Sequence, residues 1–151
     1  QIPKGRGDIS KIRINKKTIF LIDESYNSNP LSLKSAINNF DMIEAKKVKK
    51  HMILGDMLEL GKHSKKMHSK ISGLVNKTSI DYVHVIGSHV TNAYKNINKN
   101  KKGLIFRKKS QIIDLIKNNI NNNDYLMIKG SNSTELHKLA AALKTGITDA
   151  L

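Results

Sequence analysis

Short runs of β-branched and aromatic residues alternate along this chain with segments whose apolar residues recur at helical spacing. Five runs have the length and composition that are typical of strands: Thr18 to Ile22, Lys49 to Leu54, Tyr82 to Ile86, Leu104 to Phe106 and Tyr125 to Ile128. A polar loop and then a helix-like segment follow each of them. Strands that alternate with helices favour a mainly parallel sheet covered on both faces. The pattern predicts a Rossmann-like, three-layer α/β domain.

The beginning of the chain departs from this alternation. Pro3, Gly5 and Gly7 predict a loop over residues 1–10. Ile12 and Ile14 then alternate with charged residues, which predicts a short strand. We expect this strand to form an antiparallel hairpin with the next one, at an edge of the sheet. Because the sequence starts with a glutamine in place of the usual methionine, we also expect it to be a segment of a longer protein.

Composition restricts the possible functions. The absence of cysteine excludes disulfides and thiolate metal sites and favours a reducing compartment. No apolar run approaches the roughly 20 residues needed to cross a bilayer. The net charge of +15 suits either nucleic acid or small anionic ligands, and it also fits a merely solvated surface. The lysines occur as scattered pairs and aromatic residues make up only 5%, so nucleic acid is the weaker interpretation.

Polar loops follow three of the expected strands. They span residues 23–29, 55–61 and 129–133. The carboxyl ends of parallel strands meet at one edge of a sheet, where open α/β folds bind their ligands. Together the loops offer carboxylates, amides, hydroxyls and a lysine, which suit a nucleotide or a phosphorylated substrate. Ordinary turn chemistry explains the same residues about equally well.

Several familiar sites are missing from the sequence. There is no Gly-x-x-x-x-Gly-Lys-Ser/Thr loop for phosphates and no Gly-x-Gly-x-x-Gly after a strand. His63 and His68 are five positions apart, without the glutamate of a zinc-protease motif, so we expect no metal site there. No Ser-His-Asp set can be argued from spacing. A structural role is expected for the remaining histidines, His51, His84, His89 and His137.

Four segments, in order, resemble the Mur ligases that add D-alanyl-D-alanine. The segment from Asp23 to Pro30 reads Asp-Glu-Ser-Tyr-Asn-Ser-Asn-Pro, and the segment from Gly55 to Gly61 reads Gly-Asp-Met-Leu-Glu-Leu-Gly. The third, Lys129 to Ser133, is similar to a late Lys-Gly-Ser-Arg-Ser of that family. Residues 3–7 look like the family's join between its central and C-terminal domains. The resemblance therefore covers nearly the whole chain and points to the C-terminal domain.

The resemblance implies a role in ATP-dependent amide ligation during peptidoglycan synthesis in the bacterial cytoplasm. The substrates would be UDP-MurNAc-tripeptide and D-alanyl-D-alanine, joined through an acyl phosphate. It also implies that residues 1–10 are a linker from a central domain and that residues 11–151 are the C-terminal domain. The phosphate loop and the Mg²⁺ ligands would lie on that central domain, so residues 1–151 alone should be inactive. The alternatives are a ligase of the folylpolyglutamate synthase type and a basic nucleic-acid-binding module.

The resemblance also assigns residues to the nucleotide. Glu24 occupies the acidic position expected to reach the ribose hydroxyls of ATP, with Asp23 beside it at the end of the strand. A structural role is the alternative for Asp23. Tyr26, Asn27 and Asn29 would line the adenosine side of the closed cleft. Asn29 is equally suited to cap the helix that Pro30 begins.

The other two loops are assigned to the reaction centre and the amine substrate. Asp56 and Lys129 are the candidates for a catalytic role. Contacts with the substrate are assigned to Glu59, Ser131, Asn132 and Ser133. Asn132 stands where the family usually has arginine, which puts in doubt any charge contact at that position.

Overall fold

The computed structural model describes residues 8–26, 28–58, 60–131 and 134–146. Short 3₁₀ turns occupy residues 61–63 and 99–101. The strands are β1 (Asp8–Ile14), β2 (Lys17–Glu24), β3 (Lys50–Gly55), β4 (Tyr82–Ile86), β5 (Lys102–Phe106) and β6 (Tyr125–Lys129). The helices are α1 (Pro30–Asp41), α2 (Ser64–Ser69), α3 (Ile71–Val75), α4 (Ser88–Tyr94), α5 (Lys109–Asn118) and α6 (Leu136–Thr145).

Within the described residues the strands form one sheet in the order β1-β2-β6-β3-β4-β5. The β1–β2 pair is antiparallel and every other pair is parallel. The last strand, β6, is inserted between β2 and β3. The predicted α/β class and the antiparallel edge hairpin are therefore confirmed.

The alternation of side chains along the strands gives the sheet two apolar faces. Leu21, Ile53 and Ile128 pack with α5 and α6 on one face. Ile22, Met52 and Met127 pack with α1, α3 and α4 on the other. Residues adjacent in sequence thus lie in different cores, because successive side chains of a strand point to opposite faces. The sheet is covered on both sides, as expected for a mainly parallel sheet.

Two boundaries differ from the sequence prediction. The loop expected over residues 1–10 is wrong at its end, since β1 begins at Asp8. The residues Asp8 to Ser10 pair with Leu21 to Asp23, and this pairing overrides the local turn signals. The helix expected from about Ser64 is interrupted at Lys70, which separates α2 from α3. None of the described helices has both the length and the apolar character of a membrane span.

Buried lysines terminate helices at the amino-terminal edge of the sheet. The Lys50 ammonium donates to the carbonyl oxygens of Phe40, Asp41 and Ile43, at 3.1, 3.0 and 2.9 Å, and to the Ser79 hydroxyl at 2.8 Å. It thereby satisfies the last carbonyls of α1, where a positive charge also complements the helix dipole. Burial lowers the pKa of Lys50, while Asp41 and Asp81 act in the opposite direction.

The same edge contains a buried chain of imidazoles. The Leu104 amide donates to His84 Nδ1 at 2.9 Å, so the proton of a neutral His84 lies on Nε2. That nitrogen is 3.0 Å from His51 Nδ1. The His51 proton then lies on Nε2, which faces the Asp124 carboxylate at 3.7 Å. Burial, followed by the nearby His51, lowers the pKa of His84 from 6.5 to about 3.

Candidate functional site

Three loops meet at the carboxyl-terminal edge of three adjacent strands. We call them the β2 loop (residues 25–29), the β3 loop (residues 56–60) and the β6 loop (residues 130–135). Because β6 lies between β2 and β3, all three loops are neighbours. Four of the residues assigned to the site from the sequence, Asn27, Glu59, Asn132 and Ser133, lie outside the described residues.

Two glycines allow the β3 and β6 strands to end close to one helix. A Cβ atom built on Gly55 or on Gly130 would lie 2.7 Å from the Leu136 side chain at the start of α6. The two glycines also face each other, with each such Cβ 3.7 Å from the other Cα. A larger residue at either position would have to displace the end of the Leu136 side chain. These glycines therefore leave the space that Leu136 occupies between β3 and β6.

Ser131 connects the three loops. Its hydroxyl accepts a hydrogen bond from the Leu58 amide at 2.8 Å and donates to the Ser28 carbonyl at 3.3 Å. Its own amide donates to the Asp56 carbonyl at 3.4 Å. Ser131 is buried, so the hydroxyl that the sequence assigned to substrate already holds backbone groups of two other loops. A contact with substrate stays a prediction for this residue.

Asp23 and Glu24 point to opposite faces of the sheet, although they are adjacent in sequence. Asp23 lies on the α6 side, where its carboxylate accepts from the Ser25 amide at 3.0 Å and from the Ser25 hydroxyl. Its other oxygen is 2.7 Å from the Lys144 ammonium in the last turn of α6. These contacts support the structural role that the sequence left open for Asp23. Lys144 could not have been found from sequence, because it is far away along the chain.

Glu24 lies on the other side of the sheet together with Lys129. The two residues are in register on neighbouring parallel strands, and both follow residues whose side chains pack toward α6 or α5. Glu24 is half-buried and Lys129 is buried. The Tyr26 side chain is 54% exposed, so its ring is available to a ligand, but it lines the side of the sheet that carries Asp23. An acid and a lysine therefore lie side by side at the ends of β2 and β6, on the face opposite Asp23.

Asn29 caps α1. Its side-chain oxygen accepts from the Ser32 amide at 2.9 Å, and the Ser32 hydroxyl accepts from the Asn29 amide at 3.0 Å. This reciprocal arrangement is a capping box, and Pro30 occupies the first helical position that suits it. Of the two roles that the sequence suggested, the cap is the one formed. Contact with the nucleotide stays a prediction.

The β3 loop is held by the helices beside it. Asp56 is buried, and its carboxylate accepts from the Val90 amide at 2.9 Å, at the amino terminus of α4. Gly87 has a φ of +126°, and a Cβ there would lie 2.5 Å from the Asp56 carboxylate, so only glycine permits this approach. The Met57 amide donates to His68 Nε2 at 3.0 Å. The sequence singled out Asp56 but did not assign a role to His68.

A cavity of about 480 Å³ opens beside the β2 loop, between β1 and α6. The Asp23–Lys144 ion pair lies on its wall, and the exposed Tyr26 lies at its margin. His137 of α6 also lines it, and its Nδ1 is buried without a hydrogen-bond partner among the described residues. Nowhere among residues 8–26, 28–58, 60–131 and 134–146 are three acidic, histidine or cysteine side chains arranged to hold a metal ion.

Residues 10–132 match the family model described as "Mur ligase, glutamate ligase domain". The match covers most of the chain, which therefore belongs to the Mur ligase family.

Individual relatives have a more specific name. A UDP-N-acetylmuramoyl-tripeptide–D-alanyl-D-alanine ligase of Buchnera aphidicola is 32% identical over 82% of this chain and 26% of its own length. The enzyme of the same name from Rickettsia prowazekii is 26% identical over 91% of this chain and 29% of its own length. The chain thus spans less than a third of these relatives.

Solved structures show the same fold. MurF from Acinetobacter baumannii superposes with a TM-score of 0.73 at 23% identity, covering 96% of this chain and 31% of that protein. A MurF ligase from Thermotoga maritima, solved in complex with ADP, has a TM-score of 0.72 at 20% identity and covers 100% of this chain and 33% of that protein.

Proposed function

We propose that this chain is the nucleotide-closing and substrate-binding domain of a ligase that adds D-alanyl-D-alanine to UDP-MurNAc-tripeptide. The main support for this proposal is that Ser131 joins the three loops of the family motifs at one edge of the sheet. The names of the curated relatives support this choice of substrates. The place of action is the bacterial cytoplasm. The remaining domains of the enzyme would be supplied by the rest of a longer protein.

The reaction follows from the chemistry of the two substrates. The terminal carboxylate of the tripeptide attacks the γ-phosphorus of ATP, and ADP leaves. The amine of D-alanyl-D-alanine attacks the resulting acyl phosphate, loses a proton, and expels inorganic phosphate to form the amide. Catalysis of such a phosphoryl transfer consists mainly of positioning and charge stabilisation. Mg²⁺, held by residues of the central domain, would neutralise the phosphate charge.

In this proposal the end of β2 binds the nucleoside part of ATP. Glu24 accepts hydrogen bonds from the ribose hydroxyls, and Tyr26, Asn27 and Asn29 line the adenosine side of the cleft. The exposed ring of Tyr26 supports a contact with adenosine, and a carboxylate such as Glu24 can accept from both ribose hydroxyls. The solved relative with bound ADP is consistent with a nucleotide at this fold. Asp23 does not contact the nucleotide in this proposal. It stabilises the β2 loop through its turn with Ser25 and its ion pair with Lys144.

The β3 and β6 loops serve the other reactants. Lys129 and Asp56 face the reaction centre, and Glu59 with Ser131, Asn132 and Ser133 contacts the incoming dipeptide. Asn132 cannot provide the charge of the arginine that is usual there. A neutral amide at this position would contribute hydrogen bonds without electrostatic attraction to an anionic substrate.

The test is a steady-state comparison in the full-length protein that contains this chain. We expect Glu24→Gln to raise the KM for ATP about tenfold, equivalent to about 1.4 kcal/mol, because an amide is a weaker acceptor than a carboxylate. Glu24→Asp should recover part of the loss. Glu44→Gln, at an exposed acid outside the site, is the matched control. An unchanged KM for ATP in Glu24→Gln would refute the assignment of Glu24.

Two further assays test the assignment of the domain. Residues 1–151 alone should not turn over ATP, and ligation by this chain alone would refute the proposal. In the full-length protein, D-alanyl-D-alanine should be a far better acceptor than glutamate. A preference for glutamate would instead favour a ligase of the folylpolyglutamate synthase type.

A further inference from the structure

His68 has both ring nitrogens committed to backbone groups. It lies in α2 and is 2% exposed. Nδ1 is 2.7 Å from the Ser64 carbonyl oxygen, and Nε2 is 3.0 Å from the Met57 amide nitrogen. A carbonyl oxygen can only accept and an amide can only donate. The contacts therefore require a neutral ring with its proton on Nδ1 and a free lone pair on Nε2.

The Met57 contact is one of three that hold successive residues of the β3 loop. Asp56 is held by the amide of Val90 in α4, and the Leu58 amide is held by Ser131 of the β6 loop. His68 provides the third attachment, from α2. The three attachments come from three different elements. If the contact with His68 is lost, Asp56 and Leu58 therefore stay attached and only the Met57 amide is released. The side chain following Leu58 is Glu59, which the proposed function assigns to the dipeptide.

We propose that His68 is a positioning residue for binding of the amine substrate, because its Nε2 lone pair holds the β3 loop through the Met57 amide. This inference rests on the proposed function. Without this acceptor the loop would present the dipeptide site less often, and the affinity for D-alanyl-D-alanine would fall.

Solvent can reach the neighbourhood of His68. A cavity of about 440 Å³ lies between α2 and α4, and His68 forms part of its wall. Lys65 of α2 and His89 of α4 line the same cavity, and the His89 ring stacks on His68 with ring centroids 5.1 Å apart.

The kinetic test uses the full-length protein with two variants of His68. In His68→Gln the amide can accept from Met57 but cannot titrate, whereas His68→Leu removes the acceptor. At about pH 8 we expect the KM for D-alanyl-D-alanine to change less than about twofold in His68→Gln and to rise about tenfold in His68→Leu, the range expected for one buried hydrogen bond. The KM for ATP should change much less in both variants. His89→Gln, an exposed histidine that stacks on the same ring, is the matched control.

The comparison of the two variants and the two substrates separates positioning from a merely structural effect. Equal rises in the KM for ATP and for the dipeptide in His68→Leu would overturn the inference, since they indicate general loss of structure. A rise in the KM for the dipeptide that is as large in His68→Gln as in His68→Leu would also overturn it, since the glutamine amide keeps an acceptor for Met57.

Amide exchange provides a measurement that does not depend on catalysis. Hydrogen–deuterium exchange of a peptide containing Met57, in the same full-length protein, should be faster in His68→Leu than in the wild type. It should stay protected in His68→Gln. Unchanged protection in His68→Leu would refute the contact itself. If the protein ligates no dipeptide at all, the proposed function fails, while exchange at Met57 still decides whether His68 holds the loop.

Discussion

The two edges of the sheet both bury polar side chains, but the partners of these side chains differ. At the amino-terminal edge, Lys50 holds the end of a helix, and the chain of His84, His51 and Asp124 joins strands. At the carboxyl-terminal edge, Ser131 and His68 hold loops to one another and to helices. Buried polar groups at the first edge therefore stabilise the framework, and those at the second fix the shape of a site. Substitutions at the first edge should change stability and leave ligand affinity nearly unchanged, whereas substitutions in the loops of the second edge should change ligand affinity as well.

The largest effect is expected for Lys50→Met. The substitution leaves the terminal carbonyls of α1 without their donor, and each unsatisfied buried acceptor is costly, so we expect a loss of about 3 to 5 kcal/mol in the free energy of unfolding. Chemical denaturation would measure it. Lys49→Met is the matched control, because the Lys49 side chain is 56% exposed and pairs with Asp81 at 3.9 Å, and it should cost less than about 1 kcal/mol. Equal losses in the two variants would contradict the role of Lys50.

Acidification should destabilise the same edge through its histidines. His84 has a pKa of about 3 in the folded chain against 6.5 when unfolded, so the folded form binds its proton at lower pH. Stability is then fully present above pH 6.5 and is lost as the pH falls toward 3. At about pH 5 His84 alone should cost about 2 kcal/mol relative to neutral pH, and His51, whose pKa is also lowered by burial, acts in the same direction.

Urea denaturation of the wild type and of His84→Asn at both pH values would measure this loss. The variant is less stable throughout, since it lacks the Nε2–H group that contacts His51, but its stability should depend less on pH. The same pH-dependent loss in both proteins would show that the imidazole chain does not account for the acid sensitivity.

Ser131→Ala tests the opposite edge. We expect a loss of about 1 to 2 kcal/mol in stability, because the Leu58 amide loses its acceptor and the Ser28 carbonyl loses its donor. In the full-length protein the KM for D-alanyl-D-alanine should rise several-fold, since Ser131 joins the loops assigned to the reactants. Ser88→Ala, at an exposed serine, is the control. A stability loss without any change in KM would place Ser131 with the framework residues of the other edge.

Asn29 should give the smallest effect. As a cap, Asn29→Ala should cost about 1 kcal/mol in stability, whereas Asn29→Ser, which can still accept from the Ser32 amide, should cost a few tenths. If the cap is its whole role, Asn29→Ser also leaves the KM for ATP within about twofold of the wild type. A large increase in that KM with stability retained would show that the amide contacts the nucleotide as well.

The comparison also bears on the high positive charge. Three lysines at the amino-terminal edge bind helix or segment ends: Lys50 at the end of α1, Lys17 at the Lys117 and Ile120 carbonyls after α5, and Lys101 at the Thr78 and Ile80 carbonyls. Lys144 is paired with Asp23 at the other edge. Part of the lysine excess thus has a structural role in the fold. Such a role cannot be deduced from composition.

Much of the fold could be predicted because its signals are local. β-branched runs and helical spacing identified the strands and helices, and Asn29-Pro30 marked the start of α1 correctly. The start of α6 shows where local signals end. Glu135 has a left-handed backbone with φ of +62°, and α6 begins only after it, at Leu136. Its carboxylate pairs with Lys109 of α5 and with Lys138, and these contacts favour a position before the helix.

The site could be predicted only in part. Sequence alone identified the loops and, with side-chain alternation, could have separated Asp23 from Glu24. It could not reveal that Lys144 neutralises Asp23, that His68 holds Met57, or that Asp56 caps α4. In each case the partner lies on another element, between 11 and 121 residues away. Hydrogen-bond partners over such separations depend on the packing of elements rather than on any local pattern.

The sequence by itself therefore determined the kind of elements, their order along the chain and the three polar loops, since periodicity and turn chemistry act over a few residues. The tertiary structure decided that β6 enters between β2 and β3, because strand order depends on which apolar faces pack together. That insertion brings the three loops into contact through Ser131. It also decides which polar side chains are engaged in hydrogen bonds within the protein and which side chains, like the exposed Tyr26, are available to a ligand.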